Sequence, residues 1–239
     1  MATKALIVGV GAERGLGAQL ALRFAREGLA VHVAGRTAER LEAVVAQVRA
    51  AGGTAHAIVA DATDEAQVGA MFARVGDGLD LVVYNAGNNT PGRIVDMDAD
   101  YFAQSWRLVC FGGFLVGREA LRRMLPGRRG TILFTGASAS LRGRPGFGAF
   151  NSAKSALRIL AQAMAKEVAP EGIHVGHVVV DGGIHGERLL ARRPDVLARV
   201  GEDGLISLEG IVDAYVYLYR QGPRAWTFEL DLRTSRESW

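Results

Sequence analysis

The feature that most constrains the fold is a glycine-rich turn, Val10-Gly11-Ala12-Glu13-Arg14-Gly15-Leu16-Gly17, set between an apolar run, Ala5–Val10, and helical periodicity from Leu16 to Glu27. Glycines at such a junction permit close backbone approach, because no Cβ stands in the way. A strand that feeds a helix through a tight turn is half of a βαβ unit, and the rest of the chain repeats that unit. Further β-branched runs fall at Ala30–Ala34, Ala55–Val59, Leu79–Tyr84, Thr131–Thr135, His174–Val180 and Thr227–Leu232. Between them lie helical stretches at Ala38–Ala51, Glu65–Val75, Tyr101–Leu125, Phe150–Val168 and Leu208–Arg220. This alternation predicts an α/β fold: one doubly wound parallel sheet of about seven strands, with right-handed crossovers placing helices on both faces.

A length of 239 residues suits one such domain, so 1–239 is expected to be a single folding unit. Apolar residues at 49% and charged residues at 22% exclude a disordered chain. Cys110 is the only cysteine, which rules out an internal disulfide and fits a reducing compartment. No apolar run has bilayer length and no secretory signal precedes Ala5, so the expectation is a soluble, cytoplasmic protein without a membrane partner. The net charge is +3, but the densest basic group, Arg118, Arg122, Arg123, Arg128 and Arg129, reads as a solvated helix end, not a nucleic-acid stripe. No metal site is expected. The longest irregular stretch, Asp181 to Ile206, comes after the sixth strand at the edge where open α/β sheets bind ligands; it is read as a substrate lid, 181–206, holding a short helix near Glu187–Val200.

The order strand, glycine turn, helix also presents free N–H groups at a helix N-terminus, the local chemistry that accepts a pyrophosphate. The fold is therefore read as a Rossmann-type dinucleotide-binding domain with Gly11, Arg14, Gly15, Leu16 and Gly17 at the phosphates. After the second strand come Gly35 and Arg36, with no carboxylate to hold the ribose hydroxyls or repel a 2′-phosphate. The planar forks of Arg36 and Arg14 favour NADP(H) over NAD(H), against the alternative that both simply face solvent.

The spacing Gly11-x-x-x-Gly15-x-Gly17 resembles the short-chain dehydrogenase/reductase family. Asp61-Ala62 is similar to the family's pair beside the adenine ring, and Asn85-Ala86-Gly87 to the motif that supports the sheet and lines the cofactor. Gly182 and Ile184 resemble its nicotinamide-contacting segment, with Asp181 where proline is usual. The resemblance implies catalysis by Asn, Ser, Tyr and Lys, the tyrosine exchanging a proton with substrate while the lysine lowers its pKa and holds the ribose. Matching these positions places Lys154 correctly but puts Phe150 at the tyrosine, Val109 at the asparagine and Ala137 at the serine, with Ser138 one residue late. Phenylalanine has no ionisable proton. Because such groups act as a unit, this departure predicts a large loss of ordinary carbonyl reduction.

Two functions compete. One is an atypical NADP(H)-dependent oxidoreductase acting on a small molecule, with the proton supplied by Asp181, His185 or Ser138, and Tyr84, Asn88 and Asn89 as weaker candidates; a substrate such as an iminium ion, needing less proton donation, would suit it. The other is a non-redox protein on the same scaffold, a sensor, scaffold, isomerase or cyclase, in which Lys154 only holds the ribose. The resemblance also implies a homodimer or homotetramer paired through Tyr101–Leu125 and Phe150–Val168, the latter apolar on more than one face at Leu157, Leu160, Ala161 and Met164.

Overall fold

The computed structural model describes residues 3–237. Seven strands form one parallel sheet in the order β3-β2-β1-β4-β5-β6-β7. The strands are β1 (Lys4–Val8), β2 (Ala30–Gly35), β3 (Ala55–Val59), β4 (Leu79–Tyr84), β5 (Gly130–Thr135), β6 (Ile173–Asp181) and β7 (Glu229–Arg233). The helices are α1 (Leu16–Arg26), α2 (Ala38–Ala50), α3 (Glu65–Val75), α4 (Ala99–Trp106), α5 (Gly112–Met124), α6 (Gly148–Val168), α7 (Glu187–Arg192), α8 (Val196–Val200) and α9 (Leu208–Tyr219). Strand order reverses between β1 and β4, so their carboxyl ends open a crevice there.

Alternate residues of each strand enter two separate cores. Ile7, Val31 and Val33 pack with Leu20, Phe24, Val44 and Tyr215 on the α1, α2 and α9 side. Leu6, Val82 and Tyr84 pack with Phe72, Leu115 and Leu157 on the other. Every residue of β5 and of β6 is buried, as central strands covered on both faces require.

Three departures from the sequence reading have local causes. β1 ends at Val8, two residues early: Gly9 turns with φ +91° and the N–H groups of Gly9 and Val10 both donate to Ala34 O. The stretch Tyr101–Leu125 is not one regular helix but α4 and α5 joined by a π-helical turn at 107–111, where Gly112 N–H donates to Arg107 O. The phenol of Tyr84 donates to Leu108 O inside that turn, and Gly112 and Gly113 let the backbone lie against the Tyr84 ring and Leu157. Such a wide turn inserts one extra residue and rotates the faces of the helix beyond it. In the lid, the expected helix Glu187–Val200 is two, α7 and α8, because Pro194 forces Arg193 out of the helical region, to φ −139° and ψ 75°.

Candidate functional site

The glycine turn, the loop after β4, the start of α6 and the lid meet at the carboxyl edge of the sheet. Asn85 ties β4 to β1: its N–H donates to Val8 O and its side-chain amide to Gly9 O at 3.2 Å. Gly9, which the sequence reading passed over, allows this closeness, since a Cβ there would lie 2.6 Å from Ala86 Cα. At Gly11 a Cβ would meet nothing within 4 Å, leaving open space above the turn. Leu16, Gly17 and Ala62 are buried beneath it. Asp61 is partly buried and its carboxylate accepts from Thr63 N–H and Thr63 Oγ1, both at 2.8 Å. Arg36 is exposed at the end of β2.

Lys154 is buried, and its ammonium donates to Thr135 O at 2.6 Å. Burial pushes its pKa down to about 8. One bond leaves two of its three N–H groups for other partners. The Nζ stands 3.7 Å from a Cβ placed on Gly87 and 5.9 Å from the centroid of the half-buried Phe150 ring. Val109 is fully buried in the π turn.

Several proposed proton donors are already engaged. Both oxygens of Asp181 accept from Arg142 at 2.9 Å and one lies 3.3 Å from Arg233, while the residue is 1% exposed. That carboxylate is an anchor between the loop after β5 and the β6–β7 edge; it is not a free acid facing the groove. Tyr84 is fully buried, its hydroxyl given to Leu108 O, and burial raises its pKa further. Ser138 is half-buried, with no hydrogen bond from its hydroxyl among the described residues, and the neighbouring Ala137 N–H donates to Ser140 Oγ at 3.2 Å. Ser140 in turn lies 3.4 Å from His177 Nε2, and His177 Nδ1 lies 2.9 Å from Glu229, which Arg158 clamps at 2.6 and 2.8 Å. Burial pushes the His177 pKa down to about 4. This chain of contacts braces the Ser138 turn from beneath. It draws on β6, β7 and the turn after β5, and no local pattern announced it.

Residues 181–206, the segment expected to be a lid, are tied back to this edge. His185 N–H donates to Ile206 O and Ile206 N–H to Gly183 O, pairing Ile184 with Ile206. Glu187 N–H donates to Arg14 O, Arg188 Nη1 to Gly87 O at 3.2 Å, and Arg192 Nη1 to Asn89 O at 3.0 Å. Asn88 gives its amide to Ser105 Oγ at 3.4 Å, while the side-chain oxygens of Asn88 and Asn89 are buried without a partner. Among the described residues no helix is long and apolar enough to cross a membrane.

The apolar positions of α6 divide between the chain's own core and its surface. Leu157, Ala161 and Met164 lie in the chain's own core, whereas Phe102, Trp106 and Ile159 are 42%, 41% and 56% exposed.

A family model described as short chain dehydrogenase matches residues 4–188. The chain is 33% identical over 191 residues to versicolorin reductase 1 of Aspergillus parasiticus, covering 78% of this chain and 71% of that protein. It is 32% identical over 216 residues to the 3-oxoacyl-acyl-carrier-protein reductase FabG of Staphylococcus aureus, covering 84% and 86%. A solved short-chain dehydrogenase from Rhodopseudomonas palustris superposes with a TM-score of 0.82 at 37% identity, over 97% of this chain and 98% of that one.

Proposed function

The chain belongs to the short-chain dehydrogenase family, and on that premise we propose that it is an NADP(H)-dependent oxidoreductase of small molecules with a degenerate catalytic set. The observation that carries this reading is the arrangement around buried Lys154: its Nζ lies 3.7 Å from a Cβ placed on Gly87 and 5.9 Å from the centroid of the Phe150 ring, which has no proton to give. Gly11, Arg14, Gly15, Leu16 and Gly17 hold the pyrophosphate, Asp61 and Ala62 the adenine, and Asn85, Ala86, Gly87, Lys154, Gly182 and Ile184 the nicotinamide riboside. Arg36 takes the 2′-phosphate, because no carboxylate stands at the end of β2 to repel it. When bound, the nicotinamide supplies a hydride.

The chain's own groups orient the reacting partner and exclude water. With Asp181 and Tyr84 engaged elsewhere, the proton at the substrate oxygen or nitrogen falls to Ser138, His185 or a water held by them. A non-redox reading rests on the same Phe150: the groove then binds cofactor without turnover, and Lys154 serves the ribose alone. Assembly into dimers or tetramers through α4, α5 and α6 is supported by the exposed Phe102, Trp106 and Ile159. A cytoplasmic location remains part of this reading.

Fluorescence titration with NADPH and NADH tests the cofactor assignment. A charge-assisted pair at Arg36 predicts roughly 10- to 100-fold tighter NADPH binding, lost in Arg36→Leu. Equal affinities for the two cofactors overturn it. Steady NADPH oxidation with any member of a carbonyl and imine panel rejects the non-redox reading.

A further inference from the structure

Basic side chains near the folded interior mostly meet carboxylates: Arg23 with Glu27, Arg118 with Glu65, Arg142 with Asp181, Arg158 with Glu229. The two arginines of α7, like Lys4, Arg49, Arg74 and Arg128, meet main-chain carbonyls instead. Arg188 and Arg192 stand one turn apart on one face of that short helix, and their described bonds go only to the main-chain carbonyls of Gly87 and Asn89. Like charges at this spacing oppose each other. The one acid of α7, Glu187, turns the other way, toward Arg14 N–H at 3.4 Å. Gly87 joins this pair to a third cation, since Lys154 Nζ approaches it from below. Three positive groups therefore converge on the loop after β4, and none of the described residues gives them a bidentate acceptor.

The same loop carries two further unmet needs. Asn88 and Asn89 each hold a side-chain oxygen buried without a donor, a costly arrangement unless a ligand completes it. An oxyanion answers the arginines; a hydroxyl on the same molecule answers the asparagines. We infer that Arg188 and Arg192 form an anion subsite in the lid, which seats the carboxylate of a small hydroxylated acid over the reacting end of the groove, with Asn88 and Asn89 accepting from its hydroxyls. This rests on the cofactor-groove reading above and names the substrate class for it. The other source of an oxyanion at this place is the cofactor's own pyrophosphate.

Calorimetric titration of the full chain with tartrate, tartramide and inorganic phosphate, each with and without saturating NADPH, separates these sources. Tartrate is expected to bind and tartramide not to. Arg188→Gln and Arg192→Gln should each weaken tartrate binding by about tenfold or more, with NADPH affinity unchanged. Arg199→Gln, whose partner is Asp195 at the start of α8, controls for net charge and should change neither. Arg188→Lys, which keeps the charge but loses the fork, should recover only part of the affinity. Unchanged tartrate binding in both glutamine variants overturns the subsite. So does a parallel loss of NADPH affinity, which gives the arginines to the cofactor, or phosphate binding as tightly as tartrate. Failure of the wild type to bind NADPH while it still binds tartrate defeats the cofactor reading and spares the subsite.

Discussion

Replacing Asp181 with asparagine keeps the shape of the side chain and removes its charge, which separates an anchor from an acid. In the native structure Arg142 makes two bonds of 2.9 Å to this carboxylate, whose residue is 1% exposed, and the Arg233 guanidinium approaches within 3.3 Å. A hydrogen bond to a charged group contributes roughly 1.5–3 kcal/mol. Two of them, discounted by about a third to a half because the Arg142 side chain is 42% exposed and regains water, give a loss of about 3 kcal/mol. For a chain of this size that corresponds to a fall in Tm of about 6–12 °C. Thermal melts followed by circular dichroism measure it, and guanidinium titration should show a lower midpoint at unchanged slope. Arg142→Gln in the Asp181→Asn background should cost little more, since the two residues share one interaction. The reasoning fails if Tm moves by under about 2 °C while turnover loses one limb of its pH profile; Asp181 would then be the acid or base after all.

Phe150→Tyr places a phenol at the edge of a ring whose centroid is 5.9 Å from Lys154 Nζ, and an acid so placed should raise carbonyl reduction by about 100-fold or more, read as NADPH oxidation; no gain with intact fold and cofactor binding means the pocket is remodelled beyond this residue. Tyr84→Phe leaves Leu108 O short of a donor and should cost about 1–3 kcal/mol in denaturant titration, without altering the pH profile of any turnover; a changed profile would return Tyr84 to the chemistry. His32 and His177, ordinarily near 6.5, are both pushed to about 4 by burial. The unfolded chain therefore takes up protons first, so stability is complete above pH 6.5 and falls as pH drops toward 4, by roughly 2 kcal/mol per histidine at about pH 5. Equal unfolding free energies at about pH 7.5 and 5 would contradict that assignment.

The βα alternation was legible from the chain because period and turn chemistry are local, and the crossovers inherit their handedness from the twist of the strands. The glycine turn was legible for the same reason, since it sits at a fixed offset from a strand and a helix start; Lys154 was located only through the family resemblance. What escaped was set by contacts distant in sequence. The bridge from Asp181 to Arg142 spans 39 residues, and the line from Ser140 through His177 to Glu229 crosses from one strand to the next. Asp181 looked like a free acid because its partner carries no positional signature. The π turn likewise depends on Tyr84 reaching Leu108 from a strand, so an unbroken apolar stripe over Tyr101–Leu125 read as one helix. The apolar residues of α6 pointed to a partner chain, yet Leu157 and Met164 are satisfied by the chain's own core.

The lid is held at Arg14, Gly87 and Asn89, three short stretches that border the same groove. Each stitch is a hydrogen bond with a net contribution of about 1 kcal/mol. Gly182, Gly183 and Gly186 all precede α7, at one end of this segment. A dinucleotide entering this groove would have to part these contacts, so their removal is expected to change the rate of cofactor exchange more than its equilibrium affinity.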